Sequence, residues 1–365
     1  MTGKKIIIAG GGTGGHIFPA IAIANALKKQ DPSTEILFVG AKGKMEMEKV
    51  PQAGYRIEGI DIAGFNRSSL IKNIGLPFKL VKSFFQVRKI TGQFRPDAVI
   101  GVGGYSSFPV LRYAQAKGIP TFIHESNSFA GKSNILLGKK ATKVFVATEG
   151  MEKFFPAGRI SITGNPVRPK IVEAASIQRE EAVRFFGLDP ARKTLLVVGG
   201  SLGARSINEA VDNGLDDLLG AGLNLLWQTG KPYAAKAKQR AEGKPSVWAG
   251  DFITQMEQAY AAADLVVSRA GAMAIAELCV VKKPVLFVPY PFAAEDHQTV
   301  NAVTLVNRNA ALMVKDSEAL QKTVPAIIEL AKNEQQQNEL RNNIARYAVT
   351  DADTQIAGDI LKSLG

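Results

Sequence analysis

Apolar residues in this chain fall into short continuous runs, each closed by glycine or another turn residue and followed by a longer stretch of helical spacing. The first run, Lys5–Ala9, opens into Gly10-Gly11-Gly12-Thr13-Gly14-Gly15, and helical periodicity follows over about 19–29. Runs at 35–39, 98–102, 120–124 and 143–147 repeat the pattern. Continuous rather than alternating apolar runs predict parallel strands covered on both faces. Strand, glycine turn and helix in repetition predict a doubly wound α/β sheet.

The pattern breaks at Thr163-Gly164-Asn165-Pro166-Val167-Arg168-Pro169, where two prolines, a glycine and an asparagine read as a linker. It then restarts with a strand at 194–198, a glycine turn Gly199-Gly200-Ser201-Leu202-Gly203 and a helix over 204–219. Later strands are predicted at 223–227, 265–267 and 284–288. The expected architecture is two Rossmann-like domains, 1–163 and 164–345. A final helix over 346–365 has no strand after it and is expected to pack back toward the first domain.

Composition narrows the class. The chain has 365 residues, 46% apolar and 21% charged, which excludes wholesale disorder and suits two domains with their own cores. Its single cysteine, Cys279, excludes a disulfide framework and a cysteine-based zinc site and fits a reducing compartment. The start does not resemble a secretion signal, and no run reaches the ~18–20 apolar residues that span a bilayer. A cytoplasmic protein is expected. The net charge of +12 leaves a polyanionic partner, an anionic membrane surface or solubility as its explanation.

A glycine turn between strand and helix points unpaired N–H groups at whatever lies above it, and the helix dipole favours an anion there. Gly10, Gly12 and Gly15 match G-x-G-x-x-G, but the second strand ends Phe38-Val39-Gly40-Ala41-Lys42, without the acidic residue that holds a dinucleotide ribose. Lys42 could serve a 2′-phosphate, which keeps an NADP-dependent oxidoreductase as an alternative. His16 follows the glycines directly and reads either as a helix-capping surface residue or as a base near neutral pH. The second half has its own cradle at Gly200-Ser201-Leu202-Gly203 and another strand-to-helix turn at Gly271. Glu277, about a turn into that last helix, reads either as a solvated glutamate or as an acceptor for ribose hydroxyls.

Seven motifs occur in one order: Gly11-Gly12-Thr13-Gly14-Gly15-His16, Gly103-Gly104-Tyr105-Ser106-Ser107-Phe108-Pro109, His124-Glu125-Ser126-Asn127, Gly164-Asn165-Pro166-Val167-Arg168, Gly199-Gly200-Ser201-Leu202-Gly203-Ala204-Arg205, Gln228-Thr229-Gly230 and Pro291-Phe292-Ala293-Ala294-Glu295-Asp296-His297-Gln298. Together they resemble the MurG family of peptidoglycan N-acetylglucosaminyltransferases. The resemblance runs from residue 4 to beyond Asn301. It implies an α/β protein of the GT-B type, two Rossmann-like doubly wound domains with an interdomain cleft. It implies inverting transfer from UDP-N-acetylglucosamine to undecaprenyl-diphospho-N-acetylmuramoyl-pentapeptide, lipid I, to give lipid II. Carried over by motif, Thr13, Gly14, Gly15 and Asn127 meet the donor sugar side. Arg168, Ser201, Ile253, Ala272, Met273, Glu277 and Gln298 contact the nucleotide sugar, Glu277 at the ribose and Ile253 through its backbone at the uracil. His16 is the expected base. No cofactor is expected. With no Asp-x-Asp at a strand end and Asp216-Asp217 in a helical stretch, no tightly held metal is expected either. Ser126 and Leu202 stand where the family often has glutamine.

From Ile62 to Pro96 the sequence has no carboxylate, yet it carries Arg67, Lys72, Lys79, Lys82, Arg88, Lys89 and Arg95 among Phe65, Phe78, Phe84, Phe85 and several aliphatic residues. Basic charge beside an apolar stripe suits an anionic leaflet. An ordinary amphipathic helix packed on the sheet is the plainer reading, and no nucleic-acid motif accompanies the charge. With a lipid-linked acceptor, the expectation is peripheral attachment to anionic lipids at the cytoplasmic face of the inner membrane. Lys72, Lys79, Lys82, Phe84, Phe85 and Arg88 are the expected contacts, with cell-wall synthesis proteins as possible partners.

Overall fold

The computed structural model describes residues 3–64, 75–200 and 202–365. The chain divides into two compact units, one formed by residues 1–167 and 351–365 and the other by 168–350.

In the first unit, seven strands form one sheet: β1 (Lys5–Ala9), β2 (Glu35–Ala41), β3 (Arg56–Ile60), β4 (Ala98–Gly101), β5 (Thr121–Glu125), β6 (Lys143–Val146) and β7 (Ile160–Ile162). Their order is β3-β2-β1-β4-β5-β6-β7, and every pairing is parallel. Ile6 and Ile8 enter one buried cluster with Ile17, Ile23 and Leu27, while Ile7 and Ala9 enter another with Val110, Leu111 and Ile123. Both faces of the sheet are therefore covered, which is why its strands read as unbroken apolar runs. The helix Ala352–Ser363 belongs to this unit: Ile356, Ala357 and Ile360 join the first cluster, and Lys143 pairs with Asp359 at 2.7 Å.

The second unit repeats the plan with β8 (Lys193–Val198), β9 (Leu223–Gln228), β10 (Val247–Gly250), β11 (Leu265–Ser268), β12 (Val285–Phe287) and β13 (Leu312–Met313), ordered β10-β9-β8-β11-β12-β13 and all parallel. In each sheet the strand order reverses beside the first strand, between β1 and β4 and between β8 and β11. α/β sheets bind ligands above such switch points.

Three helix boundaries differ from the sequence expectation. The first helix runs Gly14–Gln30, so it begins inside the glycine motif rather than at Pro19. Pro19 therefore stands inside the helix, one turn past its start, where it forgoes the bond its N–H would have made to the Gly15 carbonyl. The helix expected over 204–219 is two, Arg205–Asn213 and Leu215–Gly220, parted at Gly214, where any Cβ would lie 2.8 Å from the Val324 side chain. The terminal helix begins at Ala352, and Ala345 ends the preceding one, Glu334–Ala345.

Candidate active site

In the first unit, β1 and β4 deliver two glycine turns side by side. Gly12 and Gly103 take positive φ, +88° and +96°. At the start of the helix Gly14–Gln30, His16 Nδ1 lies 3.1 Å from the Gly11 carbonyl oxygen and 3.4 Å from Thr13 Oγ1. A carbonyl only accepts, so this contact assigns the proton of the neutral ring to Nδ1 and leaves Nε2 unprotonated. The Nε2 edge lies against Gly103, where a Cβ would come within 2.8 Å of it. Thr13 is exposed, with Gly14 and Gly15 half-buried beside it.

Asn127 follows β5 and is held by Glu125, whose Oε1 accepts its backbone N–H at 3.1 Å and its side-chain amide at 3.2 Å. Glu125 Oε2 accepts from Gly131 N–H and Asn134 Nδ2, so this buried carboxylate orders the whole loop. His124 beneath it is fully buried. Burial, with His16 as a smaller cause, holds its pKa down to about 4.

One group here escaped the sequence. Glu46 is 1% exposed, and its carboxylate accepts Gly12 N–H at 2.8 Å and Ala41 N–H at 3.0 Å. The N–H of Gly12 in the first glycine turn is thus taken by a carboxylate of the chain itself. Lys42, weighed as a 2′-phosphate ligand, pairs with Asp61 at 3.2 Å.

In the second unit, β8 feeds the turn 199–204 and β11 feeds Gly271 and the helix Ala272–Val281. A cavity of about 680 Å³ lies between them, lined among others by Gly200, Gly203, Arg205, Gly271, Ala274 and Gln298. Gln298 Oε1 accepts Tyr290 N–H at 3.0 Å. Ala272 and Met273 form the half-buried first turn of the helix Ala272–Val281. Leu202, in the turn itself, is 81% exposed. Ser201 lies outside the described residues.

Glu277 is not the solvated helix residue that was one of its two readings. It is buried, and Arg168 donates to its Oε1 from Nε at 2.9 Å while Tyr260 donates to Oε2 at 3.1 Å. Burial raises its pKa above the ordinary carboxylate value, and Arg168 pulls it back down. Ile253 is also buried, and Gln228 Oε1 takes its N–H at 3.0 Å, so of its backbone groups the carbonyl is the one left for a ligand. Arg269 was overlooked although it stands next to the glycine turn at the end of β11. It spans Asp316 at 2.5 Å, Ser206 at 3.1 Å and the Val288 carbonyl at 2.9 Å, tying the ends of both central strands together.

The N-terminal domain of glycosyltransferase family 28 matches residues 6–146, and the C-terminal domain of the same family matches residues 194–356. The chain belongs to this family. A relative from Phocaeicola vulgatus, 53% identical over 98% of this chain and 96% of its own, is named UDP-N-acetylglucosamine--N-acetylmuramyl-(pentapeptide) pyrophosphoryl-undecaprenol N-acetylglucosamine transferase. A relative from Parabacteroides distasonis, 51% identical over 99% of both chains, carries the same name. The crystal structure of Acinetobacter baumannii MurG superposes with a TM-score of 0.79 at 29% identity, covering 99% of each chain. The protein is therefore a glycosyltransferase of the MurG type with the GT-B fold, as the seven motifs implied.

The basic helix is Leu76–Phe94, which buries Ser83, Val87 and Thr91. Its opposite face exposes Phe78 (79%), Val81 (58%) and Phe85 (67%) beside Lys82, Arg88 and Lys89. Phe84, one of the expected membrane contacts, is half-buried, whereas Phe85 is exposed. Lys79 is exposed, but Lys82 pairs with Asp61 at 2.9 Å, a carboxylate one residue before the stretch that lacks them. Lys72, Phe65 and Arg67 lie outside the described residues. Among the described residues no helix is long and apolar enough to cross a membrane.

Proposed function

We propose that this chain transfers N-acetylglucosamine from UDP-N-acetylglucosamine to lipid I, giving lipid II and UDP with inversion at the anomeric carbon. The observation that carries the reading is 53% identity over nearly the whole chain to a transferase named for that reaction. Incubation with radiolabelled UDP-N-acetylglucosamine and a lipid-linked acceptor tests it: label must pass to the lipid fraction.

In the proposed reaction His16 Nε2 takes the proton of the acceptor hydroxyl as its oxygen attacks the anomeric carbon. The bond from that carbon to the diphosphate oxygen breaks, and the electron pair leaves with UDP. The Nδ1 contact to Gly11 supports this role because it fixes the ring with Nε2 unprotonated. Thr13, Gly14, Gly15 and Asn127 meet the sugar. Backbone amides of the turn 199–204 and of Ser201 neutralise the leaving diphosphate, aided by the helix Arg205–Asn213. Glu277 holds the ribose, Ile253 the uracil through its carbonyl, and Arg168, Ala272, Met273 and Gln298 the remaining donor surface. The oxidoreductase alternative loses its footing, because a dinucleotide diphosphate on the first glycine turn would face the Glu46 carboxylate.

The helix Leu76–Phe94 supports peripheral attachment to anionic lipids, with Phe78 and Phe85 entering at headgroup level and Lys79, Arg88 and Lys89 facing phosphates. Attachment at the cytoplasmic face places the enzyme where a lipid-linked acceptor is met, and cell-wall synthesis proteins are natural partners there.

A further inference from the structure

We infer that Glu46 is a positioning residue for His16, acting through the first glycine turn; the inference rests on His16 as the base. The contacts form one continuous chain. Glu46 Oε2 accepts Gly12 N–H at 2.8 Å and Oε1 accepts Ala41 N–H at 3.0 Å, which clamps the turn to the end of β2. The peptide between Gly11 and Gly12 donates its N–H to Glu46 and presents its carbonyl, Gly11 O, to His16 Nδ1 at 3.1 Å. A planar peptide has its N–H and C=O pointing in opposite directions, so fixing one fixes the other.

Glycine is required around this clamp. A Cβ on Gly11 would sit 2.3 Å from Glu46 Cδ, and one on Gly40 would sit 2.5 Å from Glu46 Cγ. A Cβ on Gly104 would sit 2.4 Å from Gly11 O. The glycines therefore leave the room that the carboxylate and the Gly11 carbonyl occupy. An ionised carboxylate can satisfy both N–H groups at once, whereas an amide has one accepting oxygen and sets its NH₂ against the other donor.

Glu46→Gln tests this with little change of volume. The chain has three histidines, so imidazole ¹H–¹⁵N spectra of ¹⁵N-histidine-labelled protein distinguish the rings, and His16→Ala assigns the one in question. The parent spectrum should show the neutral His16 ring protonated at Nδ1. In Glu46→Gln this tautomer should give way to a mixture, with kcat lower by roughly tenfold to a hundredfold and UDP affinity unchanged. Glu46→Asp, which keeps the charge with a shorter reach, should fall between, and it carries the same readouts if the Gln variant does not fold. A parent-like ring spectrum in the variant overturns the inference. A tautomer shift with turnover unchanged overturns instead the reading of His16 as base, and leaves the positioning by Glu46 standing.

Discussion

Arg168 places two nitrogens on one oxygen of Glu277, Nε at 2.9 Å and Nη2 at 2.8 Å from Oε1. With Tyr260 on Oε2, the carboxylate is aimed before any ligand arrives. Glu277→Gln should weaken UDP binding about tenfold to a hundredfold, the equivalent of ~1.5–3 kcal/mol for hydrogen bonds to a charged acceptor. Titration calorimetry with UDP and UDP-N-acetylglucosamine measures it, and unchanged affinity would remove Glu277 from the site.

Arg168→Met should cost stability as well as affinity, because it leaves a buried carboxylate without its cation. A lower unfolding temperature is expected for this variant, and Glu277→Gln should lose less. Equal melting of Arg168→Met and the parent would show that solvent replaces the pair without cost.

His124 predicts a pH dependence of a definite sign. Its folded pKa of about 4 lies below the 6.5 of a free imidazole, so the unfolded chain binds the proton first as pH falls. The stability tied to this group is complete above pH ~6.5 and is lost between there and pH ~4. The total is about 3 kcal/mol at ~1.4 kcal/mol per unit. In His124→Gln the loss of stability on going from pH 7 to pH 4.5 should be smaller than in the parent. Urea unfolding at both values reads the difference; parallel acid losses in the two proteins would contradict it.

How far the sequence foretold these features depends on position in the sheets. The nine strands legible as apolar runs include all the central ones, which are buried on both faces. The four missed, β3, β7, β10 and β13, are the outermost strands of the two sheets. An edge strand is short or carries charge, as Arg56 and Glu58 do in β3, and its apolar signal fades. Gly11, Thr13, His16, Asn127, Arg168 and Glu277 could be picked out because each stands in a glycine turn or motif. Glu46 could not: its bond to Gly12 spans 34 positions, and it looks like any first-turn glutamate of a surface helix. The pairing of Lys82 with Asp61 was hidden for the same reason, since it joins a helix to the loop after β3.

The exposed face of the helix Leu76–Phe94 should bind anionic vesicles in a salt-dependent way, because the Debye length falls from ~10 Å at 0.1 M to ~3 Å at 1 M. A variant with Phe78→Ser, Lys79→Glu, Phe85→Ser and Arg88→Glu should lose vesicle co-sedimentation and activity on a long-chain acceptor. It should keep activity on a short water-soluble one. Equal sedimentation of variant and parent would place the membrane contact elsewhere.

The central claim is that this glycosyltransferase joins N-acetylglucosamine to a lipid-linked muramoyl-peptide with His16 as base. Single-turnover transfer from UDP-N-acetylglucosamine to a lipid I analogue, compared for parent and His16→Ala, tests it most directly. The parent should form the β-linked disaccharide. The variant should bind UDP as tightly but transfer ~10²–10⁴-fold more slowly, the usual contribution of a general base. Absence of transfer by the parent, or transfer by His16→Ala within a few-fold of it, would contradict the account.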